Sequence, residues 1–220
     1  MLLYATAYLL TRKISEEINQ AHMIAKQSPL EGKHTGTAAT VAIRELPGLH
    51  TIDLRVAPGS VAQLVVTGAL GIELPAKTGQ IQTTSVPGGG GEAHVLCLAP
   101  DWWLMVGLEE AEQQLALLKN QYHFSAVDVS GQRTTIELEG THAREVLAHL
   151  WEQDLREKSF PVASVSQGLM AKAPVVVCHI APFCYRVMVR SSFALHLWKA
   201  LADAAEEWLI ARKINAGSPF

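Results

Sequence analysis

A chain of 220 residues, 49% hydrophobic and 18% charged, has enough apolar material to bury a sizeable core, as one large domain or two small, intimately packed ones. Its 18 basic and 21 acidic residues leave a formal charge of -3 with no arginine or lysine cluster, so it lacks the positive surface that nucleic acid demands and no nucleic-acid partner is expected. Cys97, Cys178 and Cys184 form an odd set without close pairs, which fits neither a disulfide framework nor a zinc site and points to a reducing cytoplasm.

The chain opens on the apolar run M-L-L-Y-A-T-A-Y-L-L. It is too short to span a bilayer, no basic residue precedes it, and Arg12 and Lys13 come only after it. No membrane partner is expected. Residues 1–27 read as a helical or disordered extension that packs on a partner, with a weak signal peptide or interfacial anchor as the alternative. Ser28-Pro29 ends this stretch, and residues 28–220 form a single globular domain of two halves, about 28–126 and 127–212.

The halves repeat at an offset of roughly 80 residues. In the first, H-T-I-D-L-R-V from His50 predicts a strand and the run after Ser60 a helix. V-L-C-L-A-P-D-W-W-L-M-V from Val95 then predicts a hairpin. A second helix follows: Glu109, Glu110 and Glu112 lie in its opening turn, complementing its dipole, and Ala111, Leu115 and Leu118 make its buried stripe. Lys119 and Asn120 close it. The adjacent Trp102 and Trp103 must face opposite sides of their strand, so one of them is a candidate for burial by a partner. Gly88 to Gly91 lacks the Gly-Lys-Ser/Thr of a phosphate cradle and reads as a flexible loop.

The second half opens on V-D-V-S-G-Q-R, from Val127 to Arg133. Thr134, Ile136 and Leu138 then alternate with Arg133, Thr135, Glu137 and Glu139, the period of a strand with one apolar and one polar face. Gly140 breaks the strand and Thr141 is placed to cap a helix whose buried side is Ala143, Val146, Leu147 and Leu150. V-V-C-H-I-A-P-F-C-Y-R-V-M-V predicts the matching hairpin. Ser191 or Ser192 caps a last helix with the stripe Phe193, Leu197, Ala200, Leu201, Ala204 and Trp208. The fold class expected is α+β: two repeated strand-helix-hairpin-helix units with a mixed, mainly antiparallel sheet.

Asp128 at the strand entrance could serve as a general base or bind a ligand amine, but Asp-Val-Ser-Gly is also an ordinary turn in which the carboxylate accepts backbone N–H groups. Arg133 could pair with a carboxylate substrate, with an acidic partner subunit, or with an acid on a neighbouring strand. His142 and His149 lie two helical turns apart, too far for one small ion, and read as a solvated edge. Cys97 and Cys178 occupy equivalent strands and read as inert core thiols. A flavin or nicotinamide site of the dinucleotide type needs a G-x-G-x-x-G turn, and the sequence has none.

D-V-S-G-Q-R-T-T-I-E-L from Asp128, H-A-R-E-V-L from His142, D-L-R-E-K-S-F-P-V from Asp154, L-M-A-K-A-P-V from Leu169 and Y-R-V-M-V-R-S-S-F-A from Tyr185 resemble, in order and spacing, the gamma subunit of heterotetrameric sarcosine oxidase. The resemblance covers most of the chain after Leu30 and is densest between Val127 and Ala205. It implies a fold similar to the N-terminal part of folate-dependent aminomethyltransferases. It also implies a noncatalytic role beside alpha, beta and delta partners that carry FAD, FMN, NAD, zinc and tetrahydrofolate. No catalytic, cofactor-binding or metal residue is expected on this chain. Asp128, Arg133, Trp102 and Trp103 are the candidate assembly residues. An autonomous folate-binding transferase-like protein is the competing reading, as is a gamma-like subunit of a related N-methyl amino acid oxidase. Where the transferases carry an acid in the hairpin region, this chain reads G-L-M-A-K-A-P-V-V-V-C-H-I, without Asp or Glu.

Overall fold

Strand Arg133–Glu139 organises the molecule. Thr134, Ile136 and Leu138 point to one face and are buried, as the alternation predicts. The opposite face is no solvent face: Thr135 and Glu137 are buried as well, because a second sheet lies over them. The computed structural model describes residues 27–85, 91–108 and 111–209. The expectations for the extension up to residue 26, for Gly88 to Gly90 and for Glu109 and Glu110 fall outside these residues.

In chain order the strands are β1 (His34–Thr37), β2 (Val41–Leu46), β3 (Thr51–Val56), β4 (Ile81–Ser85), β5 (Glu92–Ala99) and β6 (Trp102–Val106). After them come β7 (Phe124–Asp128), β8 (Arg133–Glu139), β9 (Ser164–Met170), β10 (Ala173–Ala181) and β11 (Cys184–Arg190). The helices are α1 (Val61–Leu70), α2 (Ala111–Ala116), α3 (Ala143–Leu150) and α4 (Ala194–Ala204). One sheet has six strands in the order β1-β2-β8-β11-β10-β9, the other five in the order β4-β5-β6-β3-β7. Every pairing between these strands is antiparallel, so the mixed sheet expected from sequence is a fully antiparallel pair.

The repeat is present: the meander β4-β5-β6 closing on β3 has the same order as β9-β10-β11 closing on β8. Ile52 and Ile136 sit on the corresponding strands β3 and β8. Each unit holds a three-stranded meander rather than the expected hairpin, since β4 and β9 add an edge strand with several exposed polar positions. The fifth strand of each sheet is exchanged. β2, which precedes β3 in the chain, pairs with β8, and β7, which precedes β8, pairs with β3.

The layers run helix, sheet, sheet, helix. Helices α3 and α4 cover the six-stranded sheet through Val146, Leu147, Leu197 and Leu201, packed on Ile43, Ile136, Val177 and Val187. Helices α1 and α2 cover the other through Val66, Ala111 and Leu115, on Ile52, Leu54, Val95 and Trp103. Between the sheets lie Leu96, Leu104, Val106, Val176, Cys178 and Met188. At one edge the sheets are joined by the bridge Gln80–Ser164.

Two helix caps differ from expectation. The Thr141 hydroxyl donates to the Ala39 carbonyl at 3.1 Å instead of capping α3, whose N-cap is His142. Ser191 belongs to a 3-10 turn, Ser191–Phe193, and donates to the Gly131 carbonyl at 3.1 Å. That turn rotates Phe193 outwards, 40% exposed, and the buried stripe of α4 becomes Ala194, Leu197, Trp198 and Leu201. Gly140 ends β8 for a steric reason: its φ is 132°, and a Cβ there would sit 2.4 Å from the Thr40 carbonyl oxygen. Among the described residues no helix is long and apolar enough to cross a membrane.

Candidate functional site

The β7–β8 connection carries the residues singled out from sequence. Asp128 accepts the Ser130 backbone N–H at 2.8 Å and the Ser130 hydroxyl, and the Gln132 N–H closes onto the Val129 carbonyl at 2.9 Å. This is the turn arrangement of an aspartate that shapes its own loop. Its second oxygen lies 3.8 Å from the His50 Nε2. On the far side of the turn the Ser130 hydroxyl accepts the Thr51 N–H at 3.0 Å, which ties the turn to β3.

Arg133 opens β8 and projects from the face that meets the second sheet. No acid on a neighbouring strand pairs with it; the residue opposite in β11 is Arg190. Among the described residues the buried Arg133 Nε has no hydrogen-bond partner. Burial first, and then the charge of Arg190, pull its pKa below the ordinary arginine value, with Asp53 as the opposing influence. Beside it lies a cavity of about 320 Å³, whose lining includes Ser130, Arg133, Thr134, Thr135, Ser191 and Glu45.

Trp102 and Trp103 do point to opposite sides of β6. Trp103 is 1% exposed and donates its Nε1–H to the Pro75 carbonyl at 2.9 Å, so it fills the core under α1 and α2 and offers no surface to a partner. Trp102 is half-buried at the rim of the layer between the sheets. Its Nε1–H donates to Asp53 at 3.0 Å, and the Arg55 guanidinium lies 4.1 Å from its ring centroid. Asp53 therefore joins Trp102 to the electrostatic surroundings of Arg133. Asp128 lies on β7, the strand that flanks β3.

Glu137, unremarked in sequence beyond its place in the alternation, is a buried charge held from both sides. It is 2% exposed and stands between Arg44 of β2 and Arg186 of β11, its register neighbours on either side. It accepts from the Arg44 Nε at 2.8 Å and from the Arg186 Nε at 2.9 Å. Burial alone would push its pKa up, but the hydrogen bonds and charges of Arg186 and Arg44 together outweigh it and hold the carboxyl below the usual range. Its cross-strand neighbours are both arginines, and nothing in the spacing along one strand could reveal that.

The thiols are poor nucleophiles. Burial pushes Cys178 up to about 12 and, with Glu137 adding to it, Cys184 up to about 11. Burial raises Cys97 too. His142 and His149 flank Trp208, with ring centroids at 5.2 Å and 6.0 Å; His149 is exposed, as a solvated edge requires, and His142 is half-buried. The β9–β10 hairpin turns at Ala171 and Lys172, both at positive φ, and carries no carboxylate along either strand.

A family model described as the sarcosine oxidase, gamma subunit family matches residues 56–207. The sarcosine oxidase subunit gamma of Corynebacterium sp. (strain U-96) is 29% identical over 197 residues, spanning 87% of this chain and 90% of that one. The subunit gamma of Corynebacterium sp. (strain P-1) is 30% identical over 174 residues, 78% of this chain and 83% of that one. Among solved structures, a chain of the heterotetrameric sarcosine oxidase from Corynebacterium sp. U-96, in complex with pyrrole 2-carboxylate, superposes with a TM-score of 0.73 at 26% identity. The match covers 82% of this chain and 94% of that one. The glycine cleavage system aminomethyltransferase T of Bartonella henselae shares the fold, with a TM-score of 0.57 at 14% identity over 79% of this chain and 56% of that one.

Proposed function

The chain belongs to the sarcosine oxidase gamma subunit family, and on that premise we propose that it is the noncatalytic gamma subunit of a heterotetrameric sarcosine oxidase. The assembly it serves oxidatively demethylates sarcosine to glycine. It yields hydrogen peroxide, and the methyl carbon leaves as formaldehyde or as 5,10-methylenetetrahydrofolate. FAD, FMN, NAD, zinc and tetrahydrofolate reside on the alpha, beta and delta partners. The observation that carries this reading is the two-way coverage of the structural match, 82% of this chain and 94% of the matched one. A chain that superposes on nearly the full length of one chain of such an assembly fits a subunit role.

Local chemistry supports an architectural role. The Asp128 carboxylate is engaged by Ser130 within its own turn, which is the work of a loop residue and not of a base aimed at substrate. The hairpin where the transferase relatives carry an acid has none. Trp102, half-buried at the rim between the sheets, and Asp128, on the other face of the five-stranded sheet, are proposed as two separate points of docking on partners.

The decisive experiment is copurification of the tagged chain with its companions, followed by assay of the chain alone and of the assembly. Purified alone, the chain is expected to show no flavin absorbance and no sarcosine-dependent peroxide. Saturating tetrahydrofolate should not raise its melting temperature. Trp102→Ala and Asp128→Asn should reduce the amount of complex recovered more than the turnover per assembled complex. Saturable folate binding by the lone chain would favour a transferase-like protein instead, and turnover by the lone chain would overturn the architectural reading.

A further inference from the structure

Four arginines project from the inner face of the six-stranded sheet, and they fall into two pairs with opposite fates. Arg44 and Arg186 share the carboxylate of Glu137. Arg133 and Arg190 lie four residues further along β8 and β11, so they project from the same face, and they stand directly opposite each other in the register. Neither forms an ion pair with any described residue. Like charges directly opposite on adjacent strands repel, and this pair has no acid between them as the other pair has.

The surroundings supply the rest of a site. Arg133 lines the cavity of about 320 Å³, and among the described residues its buried Nε has no acceptor. Thr135 projects from the same face of β8 as Arg133, and Ser130, Thr134 and Ser191 also contribute to the lining. Glu45, the acid in the lining, is occupied: its carboxylate accepts the Ser28 hydroxyl and the Gly32 N–H. A half-buried guanidinium that forms no ion pair with any described residue, reinforced by a second cation on the neighbouring strand, is chemically complementary to an oxyanion. We propose that this cavity binds a small molecule bearing a carboxylate or phosphate, its oxyanion held by Arg133 with Arg190 adding positive charge from the neighbouring strand. The inference stands independently of the subunit assignment, since it rests only on this chain's own residues. The depressed pKa of Arg133 agrees with it, because burial and Arg190 both disfavour the guanidinium charge and a bound anion would reverse that balance.

The test uses the full chain, with inorganic phosphate and succinate as probes and sodium chloride at matched ionic strength as the reference. Melting temperature should rise with phosphate or succinate and not with chloride, and calorimetric titration should give a saturable isotherm. Arg133→Gln should weaken binding at least about tenfold, the loss of a charge-assisted hydrogen bond. Without anion, the same variant should melt at or above the parent chain, because it removes a repulsion and no ion pair. An arginine kept for stability would do the reverse. Should Arg133→Gln fail to fold, the pair has a structural purpose and the proposal falls unless Arg190→Gln, at an exposed position, still weakens binding by about threefold or more. Indistinguishable responses to phosphate, succinate and chloride overturn it. So does an anion response that is lost when the chain joins its companions, since an acidic side chain of a partner would then occupy the site.

Discussion

Replacing Glu137 with alanine should destabilise the chain by about 3 kcal/mol, and the reasoning can be tested term by term. Glu137 is 2% exposed, so its removal leaves two guanidinium groups facing each other across the sheet. The Arg44 side chain is 52% exposed, and water can replace its partner; that contact deserves no more than roughly 1 kcal/mol. The Arg186 side chain is 24% exposed, and its charge-assisted bond at 2.9 Å belongs to the class worth about 1.5–3 kcal/mol. A total of about 3 kcal/mol corresponds to a fall of about 6–12 °C in melting temperature for a chain of this size. A double-mutant cycle by urea unfolding should therefore give a larger coupling for Glu137–Arg186 than for Glu137–Arg44. Glu137→Leu combined with Arg186→Met should recover most of the loss, as replacement of buried ion pairs by apolar groups often does. The folded carboxyl is held below its ordinary value of 4.5, so the stabilisation is full above that pH and drains away as the pH falls below it. Glu137→Gln should flatten the acid limb in that window. An equal or larger coupling to Arg44, or an unchanged acid limb in the Gln variant, would refute the argument.

Other outcomes follow from single sites. With Cys178 at about 12 and Cys184 at about 11, the native chain should release far fewer than its three thiols to a disulfide reagent at pH 8 within minutes, and all three once denatured; rapid native labelling of Cys178 would contradict its burial. Gly140→Ala should cost roughly 2 kcal/mol or more by thermal denaturation, since the new Cβ meets backbone at 2.4 Å and the φ of 132° disfavours any side chain; an unaffected melting temperature would show that the Thr40 backbone yields freely. Trp103→Ala should cost about 3–5 kcal/mol, as for a large side chain removed from a core, whereas Trp102→Ala should cost clearly less. Acrylamide quenching should weaken at Trp102 on assembly, and equal quenching with and without partners would remove it from the docking surface.

The sequence carries the elements whose chemistry is local. The alternation from Thr134 to Leu138, the apolar spacing of α3 and the break at Gly140 are set by neighbours a few residues away, and all three appear in the structure. What depends on distant chain is different. The sequence marks one face of β8 as polar, but does not show that a second sheet buries Thr135 and Glu137 on it. Thr141 has the chemistry of a cap, but the Ala39 and Thr40 carbonyls compete successfully for its hydroxyl. Phe193 falls in the helical stripe by spacing and leaves it because the chain enters α4 through a tighter turn. Of the four candidate surface residues, Trp103 turns inward. The two-sidedness of an adjacent pair is certain from sequence, but which member meets the core depends on which face of β6 the helices cover.

The exchange of β2 and β7 bears on whether the two repeated units are separate bodies. If each unit kept its own preceding strand, the contact between them would be the layer between the sheets and the bridge at Gln80–Ser164. Instead β2 lends backbone hydrogen bonds to β8 along five registered positions, and β7 does the same for β3. Removing either unit would strip a strand from the sheet of the other and leave β8 or β3 as an edge. Unpaired edges invite wrong pairing, so neither unit is expected to be stable alone. The same exchange aligns Arg44 of the first unit with Glu137 of the second, and it places the β7–β8 turn, with Asp128 and Ser130, across the join between the two sheets. The Asp128 turn and the proposed anion cavity thus both lie where the units interlock, and a substitution that loosens the exchange should disturb both together.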